Sequence, residues 1–339
     1  MLVRFGSLGD VLLTTPLIRA MRGRLKDSRI EYFVKSDSAP LLHGNPHISR
    51  IYELEGKGFG ALRDKVRRIS EGGAYDLVVD LHRNPRSWYV RHRAPSRRWV
   101  MMRRDRFRRW LIVHLGVDLY GENIDPAPAR YFSALDGVFD PPLKPDDKGL
   151  EIFLNEADRR EAGEKLNFDG AIVAVAPSAR WPTKRWAPER FAEVSDRLAQ
   201  ELGARAVLLG GREDMELTGA VEKRMREKAI NIAGALSIRG AAAVIEKSLA
   251  FVGNDTGLMH IASALSRPGA AIFGPTTRHL GFYPYRSRLH VVEATGLKCR
   301  PCSKQGDIEC PKSHFRCMLD ISSAQVMNAV KKSIEENKP

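Results

Sequence analysis

No segment of this 339-residue chain approaches the roughly 18 uninterrupted apolar residues that a membrane-spanning helix requires. Two glycines and Asp10 break the first apolar stretch, so it does not read as a secretory leader, and a cytoplasmic protein is expected. Neither a Walker A loop nor a Gly-x-Gly-x-x-Gly follows any apolar segment, which argues against ATPases and nicotinamide enzymes. Short-period repeats and low-complexity tracts are missing too. Acids are outnumbered, with 41 Asp plus Glu against 55 Lys plus Arg and a net charge of +14. What remains, 43% hydrophobic and 28% charged, is globular composition with length for two domains.

The positive charge is concentrated. Between Arg83 and Arg109 stand eleven arginines and the single acid Asp105, so +10 of the +14 lies in that one segment. Such a patch implies an anionic partner: nucleic acid, a phosphorylated substrate or an acidic membrane surface.

Strands alternate with helices along the chain. Leu2–Phe5, Ile30–Val34 and Tyr75–Leu81 read as strands, the last as a buried parallel one. A helix is expected from Val11, kinked or interrupted by Pro16. After a proline-rich and acidic region, Gly149–Leu154 resembles a strand and Glu156–Leu166 a helix. A second alternation begins at Ala171, with strands at Ile172–Ala176, Ala206–Leu209, Leu249–Gly253 and Ala270–Phe273. The pattern predicts two doubly wound α/β halves, with a ligand in the cleft between them at the carboxyl ends of the strands.

Three motifs lie at such strand ends. In Gly6-Ser7-Leu8-Gly9-Asp10 the glycines admit a ligand to the backbone, and Asp10 can serve as general base or simply as a helix cap. A helix N-terminus favours the anion, so it does not raise this pKa. Asn254-Asp255-Thr256-Gly257-Leu258-Met259-His260 opens a helix whose free N–H groups suit a phosphate; capping by Asp255 and a half-buried His260 is the plainer reading. No second Asp-Thr-Gly and no all-β pattern accompany it, which argues against aspartic-protease chemistry. In Ser178–Trp186, Lys184 or Arg185 can neutralise a diphosphate, or the loop is a solvated basic turn.

Together, Ser7-Leu8-Gly9-Asp10-Val11 with Thr14-Thr15-Pro16, Lys184-Arg185-Trp186, Asp255 to His260 and Phe273-Gly274-Pro275-Thr276 resemble the ADP-heptose:lipopolysaccharide heptosyltransferases of glycosyltransferase family 9. The resemblance implies a GT-B fold, two Rossmann-like doubly wound domains facing a central cleft. The acceptor domain would span 1–155 and the nucleotide-sugar domain 169–319, with a helix at 320–337 packing back on the first. It implies an inverting transfer of heptose from ADP-heptose, Asp10 deprotonating the acceptor hydroxyl. Lys184, Asp255, Thr256, Gly257 and His260, with Gly210 and Gly211, would line the ADP side, and Ser7, Gly9, Arg83 and Arg86 the acceptor side. Charge on the leaving ADP would be met by Lys184 and helix amides, so no cofactor is required. The acceptor would be lipid A-Kdo or a heptosylated core. The chain starts one or two residues closer to the first strand than is usual in that family.

The arginine-rich segment interleaves Trp88, Tyr89, Trp99, Met101, Met102, Phe107 and Trp110, which suits the anionic headgroups of an inner-membrane surface and predicts peripheral association. A solvated basic face with tryptophans in the core is the alternative. Rival functions are a GT-B transferase with another nucleotide sugar, and a non-catalytic RNA-binding protein. No RNA-binding module is present, so nucleic acid is not expected. Cys299, Cys302, Cys310 and Cys317, spaced C-x2-C-x7-C-x6-C beside His314, read as a structural zinc site, as free or paired thiols, or as iron–sulfur ligands.

Overall fold

The computed structural model describes residues 1–338 apart from 57 and 123, and divides into two units. Unit 1 comprises Met1–Arg104 and Ala127–Phe153; unit 2 comprises Asp105–Pro126 and Leu154–Pro339.

Unit 1 begins with β1 (Leu2–Val3), α1 (Leu8–Leu12), α2 (Thr15–Arg24), β2 (Glu31–Lys35) and β3 (Arg50–Leu54). It continues with α3 (Phe59–Ser70), β4 (Tyr75–Asp80), α4 (Pro85–Arg93) and β5 (Ser96–Met101). The strands form a wholly parallel sheet in the order β3-β2-β1-β4-β5. Chain order reverses between β1 and β4, and in open α/β sheets ligands bind beside the carboxyl ends of the strands at such a point. The interruption expected at Pro16 is present: α1 ends at Leu12, and Pro16 sits in the first turn of α2, where its missing N–H breaks no ladder bond. Thr14 and Thr15 hydroxyls donate to the Val11 and Leu12 carbonyls at 2.7 and 2.8 Å and close the junction.

The helix α5 (Arg106–Leu115) belongs to unit 2, whereas α6 (Ala127–Phe132) returns to unit 1. Unit 2 then adds α7 (Glu156–Leu166), β6 (Ile172–Ala176), α8 (Pro188–Leu202), β7 (Arg205–Leu208), α9 (Met215–Glu222) and β8 (Ile230–Asn231). It closes with α10 (Ile238–Lys247), β9 (Ala250–Asn254), α11 (Gly257–Ala264), β10 (Gly269–Phe273), β11 (Leu289–Glu293), α12 (Arg316–Leu319) and α13 (Ser323–Glu336). Its parallel sheet runs β11-β10-β9-β6-β7-β8, with the switch between β6 and β9. All residues of β6, β9 and β10 are buried, as helices on both faces of a parallel sheet dictate.

Three expectations are corrected. Gly149–Leu154 pairs with no strand: Leu150 and Ile152 are buried, but the segment is held by side chains, Arg19 donating to Asp146 and Glu151 at 2.7 and 2.6 Å. Residues 105–126, placed in the first domain by the sequence, fall in unit 2, where Asp118 Oδ2 meets His279 Nε2 at 3.1 Å and Tyr120 packs on the same ring. The helix at 320–337, expected to pack back on the first domain, is α13 of unit 2. Its apolar stripe Val326, Met327 and Val330 is fully buried in one cluster with Ile272 and Val292.

Candidate functional site

In unit 1 the loop after β1 carries one group of the candidate residues. Gly6 has φ +151°, a conformation that L side chains rarely adopt, and the chain turns there into α1. Asp10 is the third residue of α1, and its Oδ2 accepts from the Ser7 N–H and the Ser7 hydroxyl, both at 3.0 Å. The N-cap is Ser7, so Asp10 is not the N-cap aspartate the sequence offered; it accepts the N-cap N–H from the third helical position, as in a capping box. Its other oxygen is engaged differently: Oδ1 lies 2.7 Å from Arg4 Nη2. Burial pushes the Asp10 carboxyl up, but the Arg4 charge and the Ser7 donors outweigh it and hold the group below its ordinary value.

Arg4 was not foreseen. It is 8% exposed, donates to the Gly6 and Leu81 carbonyls at 3.0 and 2.5 Å, and lies 5.7 Å from the centre of the Tyr131 ring. The guanidinium thus ties the β1 loop to the β4 loop. That second loop is fixed by Asp80, fully buried, whose Oδ1 accepts the His82 and Arg83 N–H groups at 2.8 Å and whose Oδ2 accepts the Ser87 hydroxyl at 2.7 Å. Asn84 caps α4, and Arg83, at φ +52°, donates to the Met102 carbonyl at 2.9 Å. Arg83 and Arg86, expected near an acceptor, stand on this loop and the start of α4, both partly exposed. His82 packs edge-on against Phe5 at 5.5 Å with Nδ1 buried and unpartnered; burial, then the Arg4 charge, lowers its pKa to about 3. Ser7 is exposed and Gly9 buried.

In unit 2 the loops after β6 and β9 bring the other expected residues together. Lys184 Nζ lies 2.5 Å from Asp255 Oδ2, and the Thr276 hydroxyl donates to the same oxygen at 2.8 Å. The two charged side chains are only 12% and 7% exposed. Thr256 caps α11, its hydroxyl accepting the Leu258 N–H at 3.2 Å, and Gly257 opens the helix. Asn254, wholly buried, accepts the Trp186 N–H at 3.2 Å and donates to the Pro177 carbonyl at 2.7 Å, joining both loops. His260 is buried one turn along α11. Gly210 and Gly211 follow β7; the Gly211 N–H donates to Asp214 Oδ2 at 2.9 Å, and a Cβ on Gly210 would come within 2.7 Å of Asp214 Cβ.

The cysteine segment packs beside this group of residues. Thr183 Oγ1 donates to the Asp307 carbonyl at 2.9 Å and accepts the Asp307 N–H at 2.7 Å. Arg300 donates to the carbonyls of Phe273, Gly274, Thr276 and Ala294 and pairs with Glu293 at 2.6 Å. Cys299 Sγ lies 3.7 Å from His314 Nε2. Burial, then the neighbouring thiols, raises Cys302, and burial takes Cys317 to about 12. Among the described residues no three His, Cys, Asp or Glu side chains are arranged to hold a metal ion, so a metal reading of the four cysteines rests on their spacing alone.

The aromatics of the basic segment divide. Trp99 is partly buried against the unit 1 core and Tyr89 meets Phe59 edge-on at 4.7 Å between ring centres, while Trp88, Phe107 and Trp110 are exposed. Among the described residues no helix is long and apolar enough to cross a membrane.

Residues 64–312 match the family model described as glycosyltransferase family 9 (heptosyltransferase). Lipopolysaccharide heptosyltransferase 3 of Escherichia coli K12 is 26% identical over 98% of this chain and 96% of its own length. The solved family 9 glycosyltransferase of Veillonella parvula aligns with 99% of this chain and 97% of its own at 24% identity, with a TM-score of 0.82. The E. coli ADP-heptose LPS heptosyltransferase II aligns over 100% and 99% at 22% identity, with a TM-score of 0.76. These likenesses show the fold, two parallel-sheet domains of the GT-B class.

Proposed function

The chain belongs to glycosyltransferase family 9 and is a glycosyltransferase; from that membership we propose that it transfers heptose from ADP-heptose to the inner core of lipopolysaccharide, with Asp10 as general base. The acceptor hydroxyl oxygen attacks the anomeric carbon as the bond from that carbon to the diphosphate oxygen breaks. ADP leaves with the bonding electrons, the hydroxyl proton passes to Asp10, and one displacement inverts the anomeric centre. The relatives named above carry the donor and acceptor classes in their names.

The observation that carries the reading is the carboxylate at the end of β1, pinned on one oxygen by Arg4 and on the other by Ser7. Held below its ordinary pKa, Asp10 is ionised throughout the physiological range and ready to accept a proton. Such a carboxylate is a weak base, so it takes the proton late, after the new C–O bond has begun to acidify the hydroxyl. In unit 2, Asp255 and Thr276 orient Lys184, whose ammonium keeps two further hydrogens for diphosphate oxygens. The first N–H groups of α11 add fixed positive potential for the departing ADP.

Two measurements test the reading. ADP in hundredfold excess over its dissociation constant should stabilise the protein by about 2.7 kcal/mol, with UDP, GDP, CDP and a short RNA giving less; stabilisation by UDP or GDP instead would keep the fold and replace the donor. Asp10→Asn should lower turnover of ADP-heptose by about 10²–10⁴-fold while ADP still raises the variant's melting temperature as much as the parent's. Full activity in that variant removes Asp10 from the base role.

A further inference from the structure

At the carboxyl end of β2 stands a cation that the fold does not use. Lys35 closes the strand after the buried run Glu31–Val34, and its N–H donates to the Phe5 carbonyl at 3.3 Å. Its own carbonyl accepts the Ser38 N–H at 3.0 Å, so the backbone is fixed on both sides. Side chains two apart on a strand share a face and lie about 7 Å apart along it. Phe33 meets Phe5 edge-on at 5.0 Å, and Phe5 meets His82 edge-on at 5.5 Å. Lys35 therefore continues the row of Phe33 toward the carboxyl ends of β1 and β4, where Asp10 and His82 stand. It is half-buried, yet among the described residues its side chain makes no hydrogen bond and no ion pair.

The neighbouring charges are already matched. Arg4 is engaged by Asp10 and by the Gly6 and Leu81 carbonyls, and Arg104 by the His82 carbonyl. Of the carboxylates, Asp10 is held by Arg4 and Ser7, and Asp80 by the His82 and Arg83 N–H groups and the Ser87 hydroxyl. Lys35 adds a cation with no carboxylate left to meet it. The excess reaches His82: burial, then the charges of Arg4, Arg104 and Lys35, lower its pKa to about 3 against the opposing charge of Asp10. A half-buried ammonium without a counter-charge is unfavourable for folding. It offers three N–H donors and a full charge to an anion that arrives with substrate.

We propose that Lys35 is a specificity-determining residue for the acceptor, binding an anionic substituent of it, carboxylate or phosphate, beside the hydroxyl that Asp10 deprotonates. Lys35 shares unit 1 with Asp10, whereas the cation offered to the donor diphosphate, Lys184, belongs to unit 2, so the acceptor is the source of the anion. The inference rests on the transfer reading for its acceptor and adds the feature by which that acceptor is chosen.

The test uses the full chain and a water-soluble, deacylated core acceptor in three forms: intact, with its carboxylates as methyl esters, and treated with phosphatase. Calorimetry reads acceptor binding without donor, and turnover with ADP-heptose gives KM and kcat. The parent should bind the intact form about tenfold or more tighter than one of the neutralised forms, and which one identifies the anion. Lys35→Met should abolish that difference by weakening the intact form, raising its KM about tenfold or more with far smaller changes in kcat and in KM for ADP-heptose. Lys35→Arg should keep most of the discrimination. Lys144→Met, an exposed lysine elsewhere in unit 1, should behave as the parent. Since Lys35→Met loses no partner, it should melt no lower than the parent, whereas loss of a structural lysine would lower the melting temperature. Discrimination unaltered in Lys35→Met overturns the proposal alone, as does equal weakening of all three forms. A rise confined to KM for ADP-heptose overturns it too, by giving the charge to the donor. A parent that binds none of the three forms overturns the acceptor reading and the proposal with it. The expected binding pattern without turnover of ADP-heptose supports the proposal and strikes the donor assignment alone.

Discussion

At the scale of single residues, two ion pairs carry the argument, Arg4 with Asp10 and Lys184 with Asp255. Arg4 is the nearest counter-charge of Asp10, and in its absence only the Ser7 hydrogen bonds oppose the effect of burial on the carboxyl. Arg4→Met should therefore raise the Asp10 pKa and move the acid limb of the kcat/KM profile upward by about one to three pH units. Arg4→Lys should move it less, because the charge stays while the bonds to Gly6 and Leu81 go. An unmoved acid limb in Arg4→Met would show that Arg4 does not set the ionisation of the group that limb reports. The Lys184–Asp255 pair yields a second prediction. Removing only Lys184 strands a carboxylate that is 7% exposed, with the Thr276 hydroxyl still donating to it. Lys184→Met should then cost about 3 kcal/mol of stability together with nucleotide affinity. Adding Asp255→Leu should restore most of the stability and none of the affinity, and a double-mutant cycle in melting temperature and ADP binding separates the two.

At the scale of elements, the loop bearing Lys184 is secured by a strap from the cysteine segment. The two bonds of the Thr183 hydroxyl to the Asp307 backbone replace a strand pairing that the loop lacks. Thr183→Val keeps the volume and removes both. It should cost about 1–3 kcal/mol and raise KM for the nucleotide sugar more than it lowers kcat; an equal fall in kcat with KM constant would place the strap in the chemical step. What could be read in advance follows the same division between local and distant partners. The central strands β4, β6, β9 and β10 announced themselves as apolar runs because helices cover both their faces. The strands the sequence hid, β3, β5, β8 and β11, are the four sheet edges, where partial exposure admits Arg98, Glu53 and Asn231 and erases the pattern. Gly149–Leu154 shows the reverse, apolar alternation with no neighbouring strand to pair. Asp10, Lys184 and Asp255 were legible since each sits in a short motif at a strand end. Arg4, Asp80 and Arg300 were not: Arg4 meets Leu81 across 77 positions of sequence, and no local spacing reports such a meeting. A lone arginine within the apolar run Leu2–Phe5 was the one available signal.

At the scale of the whole molecule, buried ionisable groups make stability a function of pH with a definite sign. The pKa of His82 falls from an ordinary 6.5 to about 3, because burial and Arg4 disfavour its cation. Its folded-state pKa is depressed, so the neutral ring favours folding above pH 6.5. That advantage is lost as pH drops toward 3, since the unfolded chain binds the proton first. The loss reaches about 3 kcal/mol near pH 4. Three carboxylates then add to it. Asp10 is held down against burial by Arg4, Asp146 chiefly by its hydrogen bonds from Arg19, and Asp158 against burial by Arg239. Each contributes stability that is complete above the unfolded carboxylate range and disappears as pH falls through its own lowered value. Acid unfolding should accordingly begin gently below pH 6.5 and steepen below about pH 4. Phe5 packs on the His82 ring, so a side chain of similar shape is needed for the test, and His82→Phe also removes the unpartnered Nδ1. In that variant the melting temperature should stay level between pH 6.5 and 4 and fall only in the carboxylate range. A parent-like decline over that interval in His82→Phe would mean that another group, outside the Arg4 cluster, takes up the proton.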